Sequence, residues 1–122
     1  GEEGTVTELI FERGEERTRV AVRVERFGKD LVVSITNEGA HLGAVAVGEY
    51  SHSDGKATVQ VITRYGHKDD EIARAQALRL ARKTRRPVCV IVGIHIDRAV
   101  KAEVTEVVKN AELAVGDYLA SD

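Results

Sequence analysis

The chain of 122 residues has no tryptophan and no methionine, one cysteine, one proline, three tyrosines and two phenylalanines. With Cys89 alone, no internal disulfide can form, and its place in an apolar run reads as a small core residue rather than a nucleophile. Scarce aromatics speak against a nucleic-acid face, which interleaves basic side chains with stacking rings. The longest apolar runs are about strand length, well short of the roughly 20 residues needed to cross a bilayer. The acidic N-terminal stretch also lacks the pattern of a signal peptide. Neither sign of charge dominates: 18 Lys and Arg stand against 20 Asp and Glu, a net charge of -2 with no overall pull toward nucleic acid or anionic membrane. The expectation is a soluble cytoplasmic protein forming one domain over 1–122, since this length supports one core and is short for two.

What the sequence does contain is patterning. "RTRVAVRVE", 17–25, alternates, with Thr18, Val20, Val22 and Val24 facing one way and charged residues the other, as in a strand buried on one side. A shorter strand, Thr5 to Phe11, precedes it, and "LVVSIT", 31–36, follows the turn "FGKD", giving an antiparallel meander. The run Leu42 to Val47 is apolar on both faces and built of small residues, which predicts a central strand with something packed closely on it. After the turn "SHSDGK" comes a fifth strand, 57–64. Residues 69–84 form a helix with Ile72, Ala73, Ala77, Leu80 and Ala81 inward, ended by Pro87. "VCVIVGIHI", 88–96, is a strand deep in the fold, and a second helix spans about Ala99 to Leu119 with Val100, Val104, Val107, Val108, Ala111 and Val115 as its buried stripe. The fold class is therefore α+β: about six mostly antiparallel strands in the order βββββαβα, with two helices packed on the sheet.

Chemistry has few places to sit. His41 lies two residues before Gly43, and Gly93 two before His95, so each histidine has bare backbone beside it on its strand. That leaves room for a flat ligand, although the plainer reading is that each glycine lets a helix approach the sheet beside a polar residue at a strand end. His-x-Asp occurs at His67–Asp69 and at His95–Asp97, and imidazole plus carboxylate could bind a divalent metal; both aspartates, however, sit where a helix begins, and capping it is their plainer role. In "RYGHKDDEIA", 64–73, the acids Asp69, Asp70 and Glu71 occupy the positive end of the helix and would repel a phosphate on its axis. An anion would meet Arg64, His67 and Lys68 instead. The basic run "ARKTRRP", 81–87, complements a helix C-terminus. No serine or cysteine nucleophile stands beside a base, and no P-loop or Rossmann glycine pattern occurs, so no enzyme activity is expected.

"GAHLGAVAVGEY", then "YGHKDDEIARAQALRLARKTRRPVCVIVGIHID" and the helix opening "KAEVTEVVKNAE" resemble the LpdD-like family over about 39–112. These are the small D subunits, or prenylated-flavin chaperones, associated with gallate and hydroxyarylic-acid decarboxylases of the UbiD type. The resemblance implies a non-catalytic accessory protein that binds reduced prenylated FMN, or FMN, and protects it or delivers it to a UbiD-type decarboxylase, with a flavin prenyltransferase as a further partner. It also implies a fold similar to the small proteasome assembly chaperones, often dimeric, and hence a homodimer. The matching motif positions are His41, Gly43, Gly66, His67, Lys68, Asp69, Gly93, His95 and Asp97. On physical grounds Arg64 and Lys68 would neutralise the cofactor phosphate, His67 or His95 would hydrogen-bond the ring edge, and Tyr65 would stack on it. Gly43 and Gly93 would leave space for the ring, while Asp69 and Asp97 cap the helices. Two alternatives stand beside this: a ligand-free dimeric interaction module, and a small metal-dependent enzyme using the His-x-Asp pairs.

Overall fold

Period-two alternation does organise the sheet. The computed structural model describes residues 8–64 and 69–121. Strand β1 is Glu8–Arg13, and after a 3-10 turn at Glu16–Thr18 come β2 (Val20–Phe27), β3 (Asp30–Thr36), β4 (Ala44–Tyr50) and β5 (Ala57–Thr63). Helix α1 (Asp70–Thr84), strand β6 (Val88–Gly93) and helix α2 (Lys101–Ser121) complete the expected order βββββαβα. All six strands join one sheet in the spatial order β1-β2-β3-β6-β4-β5. β6 inserts between the meander and the β4–β5 hairpin, parallel to β3 and antiparallel to β4; the other pairings are antiparallel.

Register aligns the apolar residues of neighbouring strands. Val24 pairs with Val33, Val33 with Val90 and Val90 with Ala46, so one face carries a continuous buried layer. Both helices cover that layer: α1 lies on β4, β5 and β6, and α2 on β1 and β2. Alanines at 73, 77 and 81 let α1 approach closely, and Gly48 of β4 completes the fit, because a Cβ there would run into the Ala77 carbonyl. On α2, Val107, Ala111, Ala114 and Val115 are buried, and Tyr118 meets Phe11 of β1 edge to face, with centroids 5.9 Å apart. No helix of the described residues is long and apolar enough to cross a membrane.

The structure corrects several boundaries. β2 begins at Val20 because Glu16, with φ 55°, turns residues 16–18 into the 3-10 segment that takes up Thr18. β1 runs to Arg13 rather than Phe11, β4 starts at Ala44 rather than Leu42, and β6 stops at Gly93. β4 is packed closely only on its α1 side; on the other, Val47 is 44% exposed. The largest departure is in α2. Val100, Val104 and Val108 are 58%, 52% and 47% exposed, so of the expected stripe only Val107, Ala111 and Val115 are buried.

Candidate functional site

Two of those uncovered valines, Val104 and Val108, border a cavity of about 410 Å³. The start of α1 contributes Asp69, Glu71 and Ile72, the segment leaving β6 contributes Ile94, His95, Ile96 and Ala99, and α2 contributes Val104, Val107 and Val108. The α2 stripe thus continues through the first turns of the helix, but α1 does not close over it. An apolar chamber with a few polar groups at its edge is the usual form of a small-molecule site, and this volume lies within the usual range.

The wall is held in place by buried polar side chains. Asn37, 7% exposed, donates from Nδ2 to the His95 carbonyl (2.9 Å) and to the Arg17 carbonyl (2.9 Å), and its Oδ1 accepts from the His95 N–H (3.0 Å). This side chain therefore takes the place of a strand pairing where β6 ends. Gly39 fits beneath the same carbonyl: a Cβ there would lie 2.7 Å from the His95 oxygen. Arg17 grips Glu103 through two bonds, Nε to Oε2 at 2.7 Å and Nη2 to Oε1 at 2.8 Å, and donates from Nη1 to the Asp97 carbonyl (3.0 Å). Glu103 in turn accepts from the Val100 N–H (3.1 Å), tying off the first turn of α2. The Arg17 guanidinium, followed by the Val100 N–H, holds the Glu103 carboxyl below the ordinary glutamate range.

The two histidines singled out by the sequence come together. The His41 and His95 rings have centroids 5.2 Å apart and are tilted by 42°, and His95 Nε2 lies 3.0 Å from Asp97 Oδ1. Arg64 lies at the same end of the sheet, with its Nη1 donating to the Leu42 carbonyl at 2.9 Å, beside His41. Tyr65, Gly66, His67 and Lys68, proposed above as ring-stacking, hydrogen-bonding and phosphate-binding positions, lie outside the described residues.

The roles assigned to the glycines and aspartates change. A Cβ at Gly43 would overlap the Asp69 carboxylate, and one at Gly93 would meet the His41 carbonyl, so the chain itself fills the space beside both glycines. Asp69 stands at the N-cap position of α1 but makes no side-chain cap bond; its Oδ2 accepts from the Ile94 N–H at 3.2 Å, linking α1 to the end of β6. Asp97 is four residues upstream of α2, and its carboxylate faces His95 instead of capping a helix. Tyr50, the other tyrosine near the motifs, belongs to the far end of β4, where its ring meets His52 and lies under Arg85. Among the described residues no group of three or more His, Cys, Asp or Glu side chains gathers as a metal site. Sequence reading missed Asn37, Arg17 and Glu103 as supports of the site, and Ile94 and Ile96 as its walls. Only Asn37 carried a visible signal: a polar residue that continues the inward alternation of Val33 and Ile35.

The comparisons bear on both fold and family. No curated protein matches the chain. A solved structure, described as a novel chaperone complex for yeast 20S proteasome assembly, contains a chain similar to this one at 16% identity, with a TM-score of 0.57 and 94% of each chain covered. At that identity the likeness shows the fold. The family model of the prenylated flavin chaperone LpdD-like domain matches residues 14–121, taking in every strand from β2 onward, both helices and the whole cavity. The chain belongs to the LpdD-like prenylated-flavin chaperone family.

Proposed function

We propose that this protein binds prenylated FMN, or FMN, in the chamber between α1, α2 and the end of β6, and that it protects the cofactor or hands it to a UbiD-type decarboxylase without performing chemistry itself. The observation that carries the reading is a cavity lined mainly by apolar side chains in a chain of this family. Residues present fit such a ligand in part by part fashion. Ile72, Ile94, Ile96, Val104 and Val108 suit the apolar edge of a prenylated ring system. His95, with Asp97 to orient its imidazole, offers a hydrogen-bonding group at the rim.

Asp69 and Glu71 line the chamber on the α1 side, and two carboxylates there would repel a phosphate. We therefore assign the phosphate to the mouth of the chamber, with Arg64 and Lys68, the cations that precede α1 in sequence, and Arg98 and Lys101, around the start of α2 in sequence, as its candidate partners. A flavin prenyltransferase as donor and a decarboxylase as acceptor would both need access to that mouth. Anaerobic equilibrium titration with prenylated FMN and with FMN tests the reading. Saturable binding, weakened at least tenfold by Val108→Trp and by His67→Ala with Lys68→Ala, is expected. Absence of saturable binding would refute the function, whereas binding unaffected by either change would refute the location.

A further inference from the structure

The sheet has two ends, and the chamber occupies one of them. At the other, register gathers three connections: Phe27 pairs with Asp30 across the β2–β3 turn, Leu31 pairs with Val88 at the start of β6, and Gly48, near the end of β4, pairs with the same Val88. The segment joining α1 to β6 therefore lies beside the β2–β3 turn, and the Leu31 N–H donates to the Pro87 carbonyl at 3.3 Å. Arg26 and Lys29 flank that turn, while Arg82, Lys83, Arg85 and Arg86 come from the last turn of α1 and the residues just after it. All of these except the half-buried Arg86 are exposed. Elsewhere arginines meet acids: Arg13 pairs with Asp117, Arg17 with Glu103 and Arg19 with Glu12. Among the described residues none of the cations at this end is in a salt bridge. The helix dipole accounts for Arg82 and Lys83, but not for Arg26, Lys29 or Arg86. Arg85, with φ 57°, occupies the left-handed position that closes α1, where glycine is the usual residue, and its guanidinium lies 5.6 Å from the centroid of the Tyr50 ring. Beside them Phe27 is held 72% exposed.

We infer that this end of the sheet docks an acidic segment of a partner protein, whose carboxylates meet the unpaired cations while Phe27 anchors an apolar side chain among them. Arginine and aromatic side chains are the groups that most often carry the energy of a protein interface, and complementary charge speeds and orients the encounter. Acids at the rim disfavour a nucleic acid. Asp30, Glu49 and Asp54 lie at the same end, where a continuous phosphate chain would run into them, whereas a protein segment can space its carboxylates around them. The Tyr50 ring already packs against Arg85 and His52, which leaves Phe27 as the aromatic at this end for a base to stack on. The 15 residues of α1 separate this surface from the chamber by about 20 Å along the helix axis. A partner held here leaves the chamber mouth open, so the inference stands whether or not a flavin binds.

Fluorescence anisotropy with the full chain and a labelled octaglutamate peptide tests it. Saturable binding is expected, absent for octaglutamine and weakened at least tenfold between about 0.05 M and about 0.2 M salt. Lys83→Glu with Arg86→Glu should weaken it at least tenfold. Arg23→Glu with Lys109→Glu changes the net charge equally but in the middle of β2 and of α2, and should change the affinity less than threefold. Arg85→Gly, which relieves the left-handed conformation, should weaken binding at least threefold without lowering the melting temperature. Val108→Trp, in the chamber, should bind the peptide as the wild type does. No saturable binding of octaglutamate, equal affinity in the protein carrying Lys83→Glu and Arg86→Glu, or tighter binding to single-stranded oligouridylate or to phosphatidylserine vesicles than to the peptide would overturn the proposal.

Discussion

Replacing Asn37 with alanine should loosen the wall of the cavity more than any other single polar change. Its side chain makes three hydrogen bonds, to the N–H and carbonyl of His95 and to the Arg17 carbonyl, and it is nearly buried. At about 0.5–1.5 kcal/mol per bond, with some desolvation cost for the backbone groups left behind, the loss comes to about 2–4 kcal/mol. With a urea m-value of about 1.5 kcal/mol/M, a loss of ~3 kcal/mol would move the unfolding midpoint by about 2 M. Asn37→Asp gives a sharper comparison. It keeps the acceptor for the His95 N–H but turns a carboxylate oxygen toward two carbonyls at 2.9 Å. At neutral pH it should therefore be at least as damaging as alanine. Those carbonyls raise the folded-state pKa of the new carboxyl, so the folded state binds the extra proton more readily and stability should recover as pH falls. Hydrogen exchange at the His95 amide should accelerate in the alanine variant. Asn37→Ala within 0.5 kcal/mol of wild type, or Asn37→Asp losing stability on acidification relative to alanine, would refute the reasoning.

Other expectations follow from the same contacts. Gly48→Ala should destabilise by about 1–3 kcal/mol in chemical denaturation, since its methyl would press on the Ala77 carbonyl and displace α1 from the sheet. Leu80→Ala, at a fully buried position, should cost about 2–5 kcal/mol by the same measurement. Glu103 has a folded-state pKa below its ordinary value because of Arg17, so its contribution is present above the ordinary glutamate range and is lost as pH falls through the lowered value. Glu103→Gln should flatten the acid limb of the stability profile in that window, and the difference from wild type should shrink in high salt. Val104→Trp should leave the melting temperature nearly unchanged, because the residue is already 52% exposed, yet reduce cofactor binding in the anaerobic titration.

Element types were largely legible in the sequence because local pattern and tertiary burial agree. In β2 the alternation of Val20, Val22 and Val24 marks the face that the structure buries, and in α1 the residues Ile72, Ala73, Ala77, Leu80 and Ala81 all turn inward. Strand order was not legible. An apolar β6 announces burial but not that it lies between β3 and β4, parallel to one and antiparallel to the other, because pairing joins residues 40 or more positions apart. The stripe on α2 shows the limit of periodicity most clearly: Val104 and Val108 fit it as well as Val107 does, yet whether α1 reaches over them depends on where α1 starts.

The two aspartates illustrate a second limit. A carboxylate before a helix predicts a cap, but Asp69 is drawn to the Ile94 N–H left unpaired at the end of β6, and Asp97 faces His95 because α2 starts four residues later than the aspartate. The glycines beside the histidines signalled close approach correctly, while what approaches them is the chain's own backbone and carboxylate. His41 and His95 were legible as a pair only through their matching glycine spacing, and their rings do meet.

The central claim, that the chamber between α1 and α2 holds a prenylated flavin, is tested most directly by anaerobic titration of the wild type and Val108→Trp with prenylated FMN, followed by flavin absorbance and fluorescence. The account predicts one saturable site per chain in the wild type, weakened at least tenfold in the variant, with both proteins equally folded. No saturable binding to the wild type, or equal affinity in both, would contradict it.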